Sequence, residues 1–171
     1  MKWALAVSLV FLPVFLSAQP LKEWTLLVYL SGNNDLDDFG HLDMNEMEKV
    51  GSTPEINVVV QWASLKNNSV KRVYVEKDQD VHNVTSPVIQ DLGKVDMGNY
   101  QSLIDFINWG VKAYPAKHYF IDVWNHGSGW RGPKASRITP LDISYDETSG
   151  NWISTKQLGQ ALRETSASLG R

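Results

Sequence analysis

The 171-residue sequence contains no cysteine. That one absence excludes disulfides, thiolate metal sites and any thiol nucleophile supplied by this chain. A strong excess of either charge is missing as well: 16 basic and 19 acidic residues give a formal charge of -3, with no block of like charge. Nothing in that balance points to nucleic acid or an anionic membrane surface as a partner. Glycine-rich phosphate loops are also lacking. Ser31-Gly32-Asn33-Asn34 has neither a Gly-x-Gly-x-x-Gly spacing nor a Lys-Ser or Lys-Thr end, which sets aside a nucleotide-binding α/β domain.

The chain opens on one short apolar run. Lys2 gives a basic start, Trp3 to Leu16 is apolar except for Ser8 and Pro13, and Leu16-Ser17-Ala18 offers a small-residue exit. The run is short for a bilayer span, and polar Gln19-Pro20 follows it in place of a basic stop-transfer cluster. Residues 1–18 therefore read as a cleaved secretory signal, with an uncleaved anchor as the alternative. The mature chain would begin near Gln19 and work outside the cytoplasm, secreted or periplasmic, with no membrane contact once the signal is removed. With 43% hydrophobic side chains, residues 19–171 suffice for one domain with a sizeable core and are too few for two.

Hydrophobic patterning then gives the order of elements. Trp24 to Leu30 is a nearly continuous apolar run ending at Ser31-Gly32-Asn33-Asn34, as expected of a central strand buried on both faces of a parallel sheet. Asp35 to Val50, with apolar Leu36, Phe39, Met47 and Val50, reads as a helix starting at an Asn or Asp cap. Asn57 to Trp62 is a second buried strand, and Val70 to Glu76 alternates like half of a hairpin. Lys77 to Gly98 reads as a loop with a short strand. From Asn99 to Ala113, the residues Tyr100, Leu103, Ile104, Ile107 and Val111 line one helical face.

Pro115 ends that helix, and His118 to Trp124 forms a third strand running into Asn125-His126-Gly127-Ser128-Gly129-Trp130. Ligands of open α/β sheets bind beyond the carboxyl ends of the strands, where this turn and the Ser31 to Asn34 loop should both emerge. A Gly-, Pro- and Ser-containing basic loop, 131–140, leads to a hairpin over Leu141 to Trp152 that turns at Thr148-Ser149-Gly150. The last helix carries a capping box, Ser154 with Gln157, and a hydrophobic staple, Ile153 with Leu158. Its inward stripe is Leu158, Ala161, Leu162, Thr165 and Leu169, with Gly170 as terminal cap. This order describes an α/β sandwich with a mainly parallel sheet. A parallel strand would normally follow that last helix, so truncation at the C-terminus is expected.

Taken alone, His126 is a histidine after a strand, and such residues are more often structural than catalytic. Its company changes that reading. The string Tyr119-Phe120-Ile121-Asp122-Val123-Trp124-Asn125-His126-Gly127-Ser128-Gly129-Trp130 resembles the histidine motif of the clostripain (C11) family of cysteine peptidases. The resemblance extends to Tyr29 through Leu36, to Asp96-Met97-Gly98 with Leu103, Phe106, Ile107, Asn108 and Trp109, and to Asp146-Glu147-Thr148-Ser149-Gly150. Several separated motifs in order are far more specific than one His-Gly pair.

The resemblance implies a caspase-like α/β fold in which His126 works with a cysteine at the end of the next parallel strand. An imidazole can accept the thiol proton and donate a proton to the departing amine of a peptide. The Gly127 main-chain N–H would face the carbonyl oxygen as it becomes an oxyanion. Trp124 and Trp130 flank the turn and are candidates for substrate contact. The substrate would be a peptide or protein, cut after Arg or Lys if the family preference holds. Yet the family's Asp-x-Cys motif has no counterpart before Arg171, and a general acid without a nucleophile has no covalent route. The chain is therefore a fragment, a processed light chain or a truncated homologue, inactive unless a missing segment or a second chain brings the cysteine. Family members are often cleaved in the loop after the histidine, where Arg131, Lys134 and Arg137 lie. A light chain would be expected to stop there, so truncation or an incomplete gene model is favoured over natural processing.

Clostripain-like enzymes are associated with calcium, and Asn33, Asp35, Asp37 and Asp38 invite that reading. Their spacing lacks the loop glycine and distal glutamate of an EF-hand, and an acidic first turn is what a helix N-terminus favours. No metal is assigned, and calcium remains an implication of the resemblance with no ligands to name. Asp142 and Asp146 are ordinary hairpin residues. His41, His82 and His118 read as surface or structural, Trp109 as core, and Ser128 lacks a nucleophile elbow. The alternative function is an exported, non-catalytic module that binds a peptide or partner chain. A sheet lacking its next strand exposes an unpaired edge and part of an apolar face. Residues 19–171 expressed alone are thus expected to self-associate, and a monodisperse, cooperatively melting monomer in analytical ultracentrifugation would refute that expectation.

Overall fold

A computed structural model of the chain describes residues 21–127 and 143–170. The expected signal, residues 1–18, and Ser128, Trp130, Arg131, Lys134, Arg137 and Asp142 lie outside the described residues. Strand β1 (Lys22–Gly32) is followed by α1 (Asp37–Glu48), β2 (Ile56–Ser64), β3 (Ser69–Tyr74) and β4 (Val88–Gly93). Then come α2 (Tyr100–Ala113), β5 (Ala116–Trp124), β6 (Ile143–Asp146), β7 (Asn151–Ile153) and α3 (Thr155–Ser168).

The apolar run in β1 has the consequence its pattern predicts. Leu27 and Tyr29 point to one face of the sheet, where they pack with Leu103, Phe106 and Ile107 of α2 and Ala161 of α3. Val28 and Leu30 point to the other, against Val60, Trp62 and Met44 of α1. Both faces of β1 are covered, which each fully buried aliphatic side chain rewards with about 2 kcal/mol. Gly110 sets the approach of α2, since a Cβ there would lie 2.5 Å from Leu27 Cδ2.

The five-stranded sheet has the order β4-β3-β2-β1-β5. Strands β2, β1 and β5 are parallel, while β3 and β4 are antiparallel additions. Leu27 lies between Val59 and Ile121 in this register. The parallel strands therefore finish together, and the loops after β1 and β5 leave from one edge. Helices on both sides of a mainly parallel sheet make the caspase-like α/β sandwich expected from the sequence. Asn99 caps α2 through Gln101 N–H, and the Ser154–Gln157 capping box opens α3.

Helix α1 departs from the sequence reading. Its predicted inner face included Phe39 and Val50, but these are 55% and 67% exposed, and the buried positions are Asp37, Gly40, Met44, Asn45 and Glu48. Two constraints outrank the apolar stripe. Gly40 brings the helix so close that a Cβ would lie 2.9 Å from Leu30 Cδ2. Glu48, fully buried, accepts the main-chain N–H groups of Thr85 and Ser86 at 2.9 and 2.7 Å and closes the long loop before β4. The expected Asn or Asp cap is also displaced: the N-cap is Leu36, whose N–H donates to Asn34 Oδ1 in a turn ahead of the helix.

Among the described residues strand β5 is bonded to β1 alone, which places it at the edge of the described sheet. On the α1 side of β5, Phe120 is 55% exposed and Asp122 is half-buried. Burial, and then the charge of Asp43, raise the Asp122 pKa above the ordinary carboxyl value. A raised folded-state pKa stabilises the protein fully below the unfolded pKa, and that contribution is lost as pH rises through the folded value. Asp122→Asn should therefore stabilise the chain near neutral pH by about 1 kcal/mol or less, given its partial exposure. The gain should vanish below the ordinary Asp titration, as urea melts at a series of pH values would show.

Candidate active site

Beyond Trp124 the chain turns through Asn125, His126 and Gly127 at the common carboxyl edge. Asn125 Nδ2 donates to the carbonyl of Ser31 at 2.6 Å and to that of Tyr145 at 3.3 Å. The Tyr145 carbonyl also accepts from Asn34 Nδ2 at 2.7 Å. One carbonyl of β6 thus joins the β1 loop to the histidine turn. Gly127 forms an isolated antiparallel bridge with Ile143, which seats the turn against the same hairpin.

The imidazole projects from this clamp with Nε2 3.1 Å from Asp35 Oδ1. Beside it lies a cavity of about 260 Å³, with His126 and Gly127 at its polar end and Ile121, Val123, Ile143 and Leu158 among its apolar walls. Leu162 of α3, also in that wall, is 42% exposed. The cleft therefore runs along the open edge of β5. Among the described residues a Cβ at Gly127 would meet nothing within 4 Å. A second cavity, of about 320 Å³, lies across the hairpin between Leu65, Lys94 and Ser149, and His126 is not among its walls.

The hairpin itself is held by a buried carboxylate. Asp146 has no exposed surface; Oδ2 accepts from Asn33 Nδ2 at 3.2 Å and Met97 N–H at 3.0 Å, and Oδ1 accepts from Thr148 N–H at 2.9 Å and from the Thr148 hydroxyl. Met97 in turn accepts, through its carbonyl, from Ser144 Oγ at 2.7 Å and Tyr29 Oη at 3.2 Å. Burial keeps the Tyr29 phenol protonated, with its pKa raised far above the ordinary value. Gly98 lets these segments touch, because a Cβ there would lie 2.3 Å from the Asn151 carbonyl oxygen.

The residues singled out in the sequence are only partly brought together. His126 and Gly127 share the cleft, but Trp124 points to the opposite face of β5. Its Nε1 donates to Asp43 Oδ2 at 2.6 Å, and its ring packs with Leu30 and Trp62. The structure does not bring Trp124 to the cleft, and Trp130 is outside the described residues. Trp109 packs on Phe106 and under the Arg72 guanidinium, whose carbon is 4.0 Å from the ring centroid.

The acidic run after β1 disperses. Asn33 binds Asp146, Asp35 faces His126, Asp37 Oδ2 accepts from Lys66 N–H, and Asp38 pairs with the Lys66 ammonium. Among the described residues no three His, Cys, Asp or Glu side chains converge to hold a metal. His41 stands 3.2 Å from Ser64 Oγ and 3.9 Å from Asp37 Oδ1, a grouping with the composition of a hydrolase triad. Both contacts use Nε2, however, so the ring cannot relay a proton from one partner to the other. Burial lowers the His41 pKa. His118 stacks with Trp24, and His82 N–H donates to Asp80 in a turn. Asn34, Asp35 and Asp146 form the site in roles the sequence did not assign them: Asp35 was weighed only as a calcium ligand and Asp146 read as a hairpin residue, and no spacing rule links Asp35 to a histidine 91 positions away.

Parallel strands ending in a histidine turn, backed by helices on both faces, define a caspase-like peptidase fold. The clostripain (peptidase C11) family model matches residues 28–169, and the chain belongs to that family. Among solved structures it is similar to a secreted C11 cysteine protease from Bacteroides thetaiotaomicron in complex with an irreversible peptide inhibitor. The identity is 28% and the TM-score 0.63, over 83% of this chain and 39% of that one. It also shares its fold with the secreted C11 protease "iotapain" of the same organism, at 11% identity and TM-score 0.61, over 85% of this chain and 43% of the other. A B. fragilis cysteine protease matches at 22% identity and TM-score 0.54, over 68% of this chain and 98% of that chain. The chain thus spans about two fifths of the first of these relatives. No curated protein matches it significantly.

Replacing Asp146 by alanine would leave buried donors from Asn33, Met97 and Thr148 without their acceptor, each costing about 1–3 kcal/mol. Asp146→Ala is expected to lower stability by about 3 kcal/mol or more in urea denaturation. It should also raise hydrogen exchange at Met97 and Thr148 more than in the distant β3–β4 pair.

Proposed function

We propose that this chain is the histidine-bearing part of a clostripain-like cysteine endopeptidase, exported behind a leader spanning residues 1–18, and that it becomes active when a cysteine-bearing strand joins the open edge of β5. The observation that carries this reading is the position of His126. It lies at the carboxyl end of the strand that borders the described sheet, beside an apolar cleft. Adjacent strands lie about 4.8 Å apart. A thiol ending the strand next to β5 would therefore fall within side-chain reach of this imidazole, whereas one on β2, two strands away, would not.

The chemistry follows from the parts. The imidazole takes the thiol proton, the thiolate attacks the scissile carbonyl, and the developing oxyanion meets the Gly127 N–H. The imidazolium then protonates the departing amine, and the same nitrogen activates the water that hydrolyses the acyl-enzyme. Peptide or protein is the substrate. A preference for Arg or Lys, the family tendency, would be set by acidic side chains brought with the cysteine, and Trp130 would meet the substrate beside the turn.

Expressing the longest reading frame that contains these residues, and separately the chain alone, tests this function. The longer product should hydrolyse fluorogenic peptides ending in Arg or Lys, His126→Ala should reduce kcat by about 100-fold or more, and the chain alone should be inert. The same cleft also supports a non-catalytic peptide-binding module. That reading predicts peptide binding unaffected by His126→Ala and no hydrolysis by the longer product.

A further inference from the structure

We infer that Asp35 is the positioning residue of His126: it takes the Nε2–H hydrogen bond and leaves Nδ1 as the nitrogen that exchanges protons with the nucleophile and the leaving amine. This rests on the proposed function and deepens it by assigning an orientation to the imidazole.

The contact is 3.1 Å between Nε2 and Asp35 Oδ1. An ionised carboxylate can only accept, so the ring nitrogen facing it must carry the hydrogen. The neutral imidazole has a single N–H, and Nδ1 is then left with its lone pair free to accept a proton. Asp35 has no other hydrogen bond among the described residues. The neighbouring acids are otherwise engaged, Asp37 with Lys66 N–H, Asp38 with the Lys66 ammonium and Asp146 with Asn33, Met97 and Thr148.

Both partners are mounted on anchored main chain even though their side chains face solvent. Asn33 and Asn34, which precede Asp35, are buried and bonded to Asp146 and Tyr145, and Leu36 N–H closes on Asn34 Oδ1. Asn125, which precedes His126, bonds Ser31 and the same Tyr145 carbonyl. Asn34 and Asn125 thus converge on one oxygen, and that shared anchor fixes the separation at which carboxylate and imidazole meet. A surface pair held only by its own side chains would lose most of its attraction to side-chain entropy; here the backbone at both ends is already ordered.

The test reads the ring nitrogens directly. In 15N-labelled chain at a pH well above the ordinary histidine titration, imidazole 15N spectra distinguish the Nε2–H form from the Nδ1–H form. They can be recorded in solution or, for a self-associating sample, under magic-angle spinning. His126 should rest as Nε2–H. The ratio of the two forms should fall about threefold or more in Asp35→Ala, the scale of an exposed charge-assisted contact. It should recover in Asp35→Asn, whose side-chain oxygen still accepts. Asn34→Ala, which loosens the mount and spares the carboxylate, should shift the ratio in the same direction as Asp35→Ala. A wild-type ring resting as Nδ1–H, or a ratio unchanged in Asp35→Ala, overturns the assignment. The readout needs no cysteine, so the orientation can fail while the longer product still cleaves peptides, and it can hold while that product is inert.

Discussion

Asp146 is buried without exposed surface, among donors from the β1 loop, the approach to α2 and its own turn. A buried carboxylate is costly unless its lone pairs are occupied, and removing any of its donors would expose that cost. The arrangement is therefore close to all-or-none. It forces Asn33, Met97 and Thr148 to meet, which brings the hairpin across the carboxyl edge of the sheet. From there Tyr145 can reach both Asn34 and Asn125, and Ile143 can bridge to Gly127. The imidazole is several bonds removed from Asp146, yet its place depends on that carboxylate.

The sheet adds a second constraint. Parallel pairing in register makes β1 and β5 finish side by side, so that loops distant in sequence become neighbours without any specific attraction between them. A site at the carboxyl end of a parallel sheet can draw on each strand in turn. Here the strand carrying the histidine lies at the edge, and the cleft opens outward from it. Exposed Phe120 and Leu162 flank the same strand on its two faces. This is the profile of a surface that more polypeptide would cover.

Much of this was legible in the sequence. The run from Trp24 to Leu30, the stripe on α2 and the Ser154–Gln157 box each express a local rule with one dominant cause, and each element forms where that rule places it. Helix α1 did not follow its stripe because its orientation is decided by a glycine contact and by Glu48 satisfying main-chain groups 37 and 38 residues away. Periodicity carries no information about either. His126 and Gly127 were marked by their motif, whereas Trp124, a candidate for substrate contact because it flanks the turn, lies on the other face of its strand, which adjacency in sequence does not reveal. Alternation would have shown it: Asn125 and Val123 line the cleft, and Trp124 between them points away. Asp35 shows the converse failure, since its meaning exists only once two parallel strands have brought their loops together.

On the proposed reading, these features make assembly and activation a single event. In this chain the Asp35–His126 pair is largely solvent-exposed, with side-chain exposures of 74% and 41%, and water screens its attraction. A strand laid on the edge of β5 would cover the apolar walls, and it would also displace water from the imidazole. Each step lowers the local dielectric, and the same carboxylate at the same distance then holds an imidazolium more strongly than it can in solvent. On that reading the chain already holds the proposed acid–base group and its support in place. What pairing adds, besides the thiol, is the dry environment in which that support has its full effect.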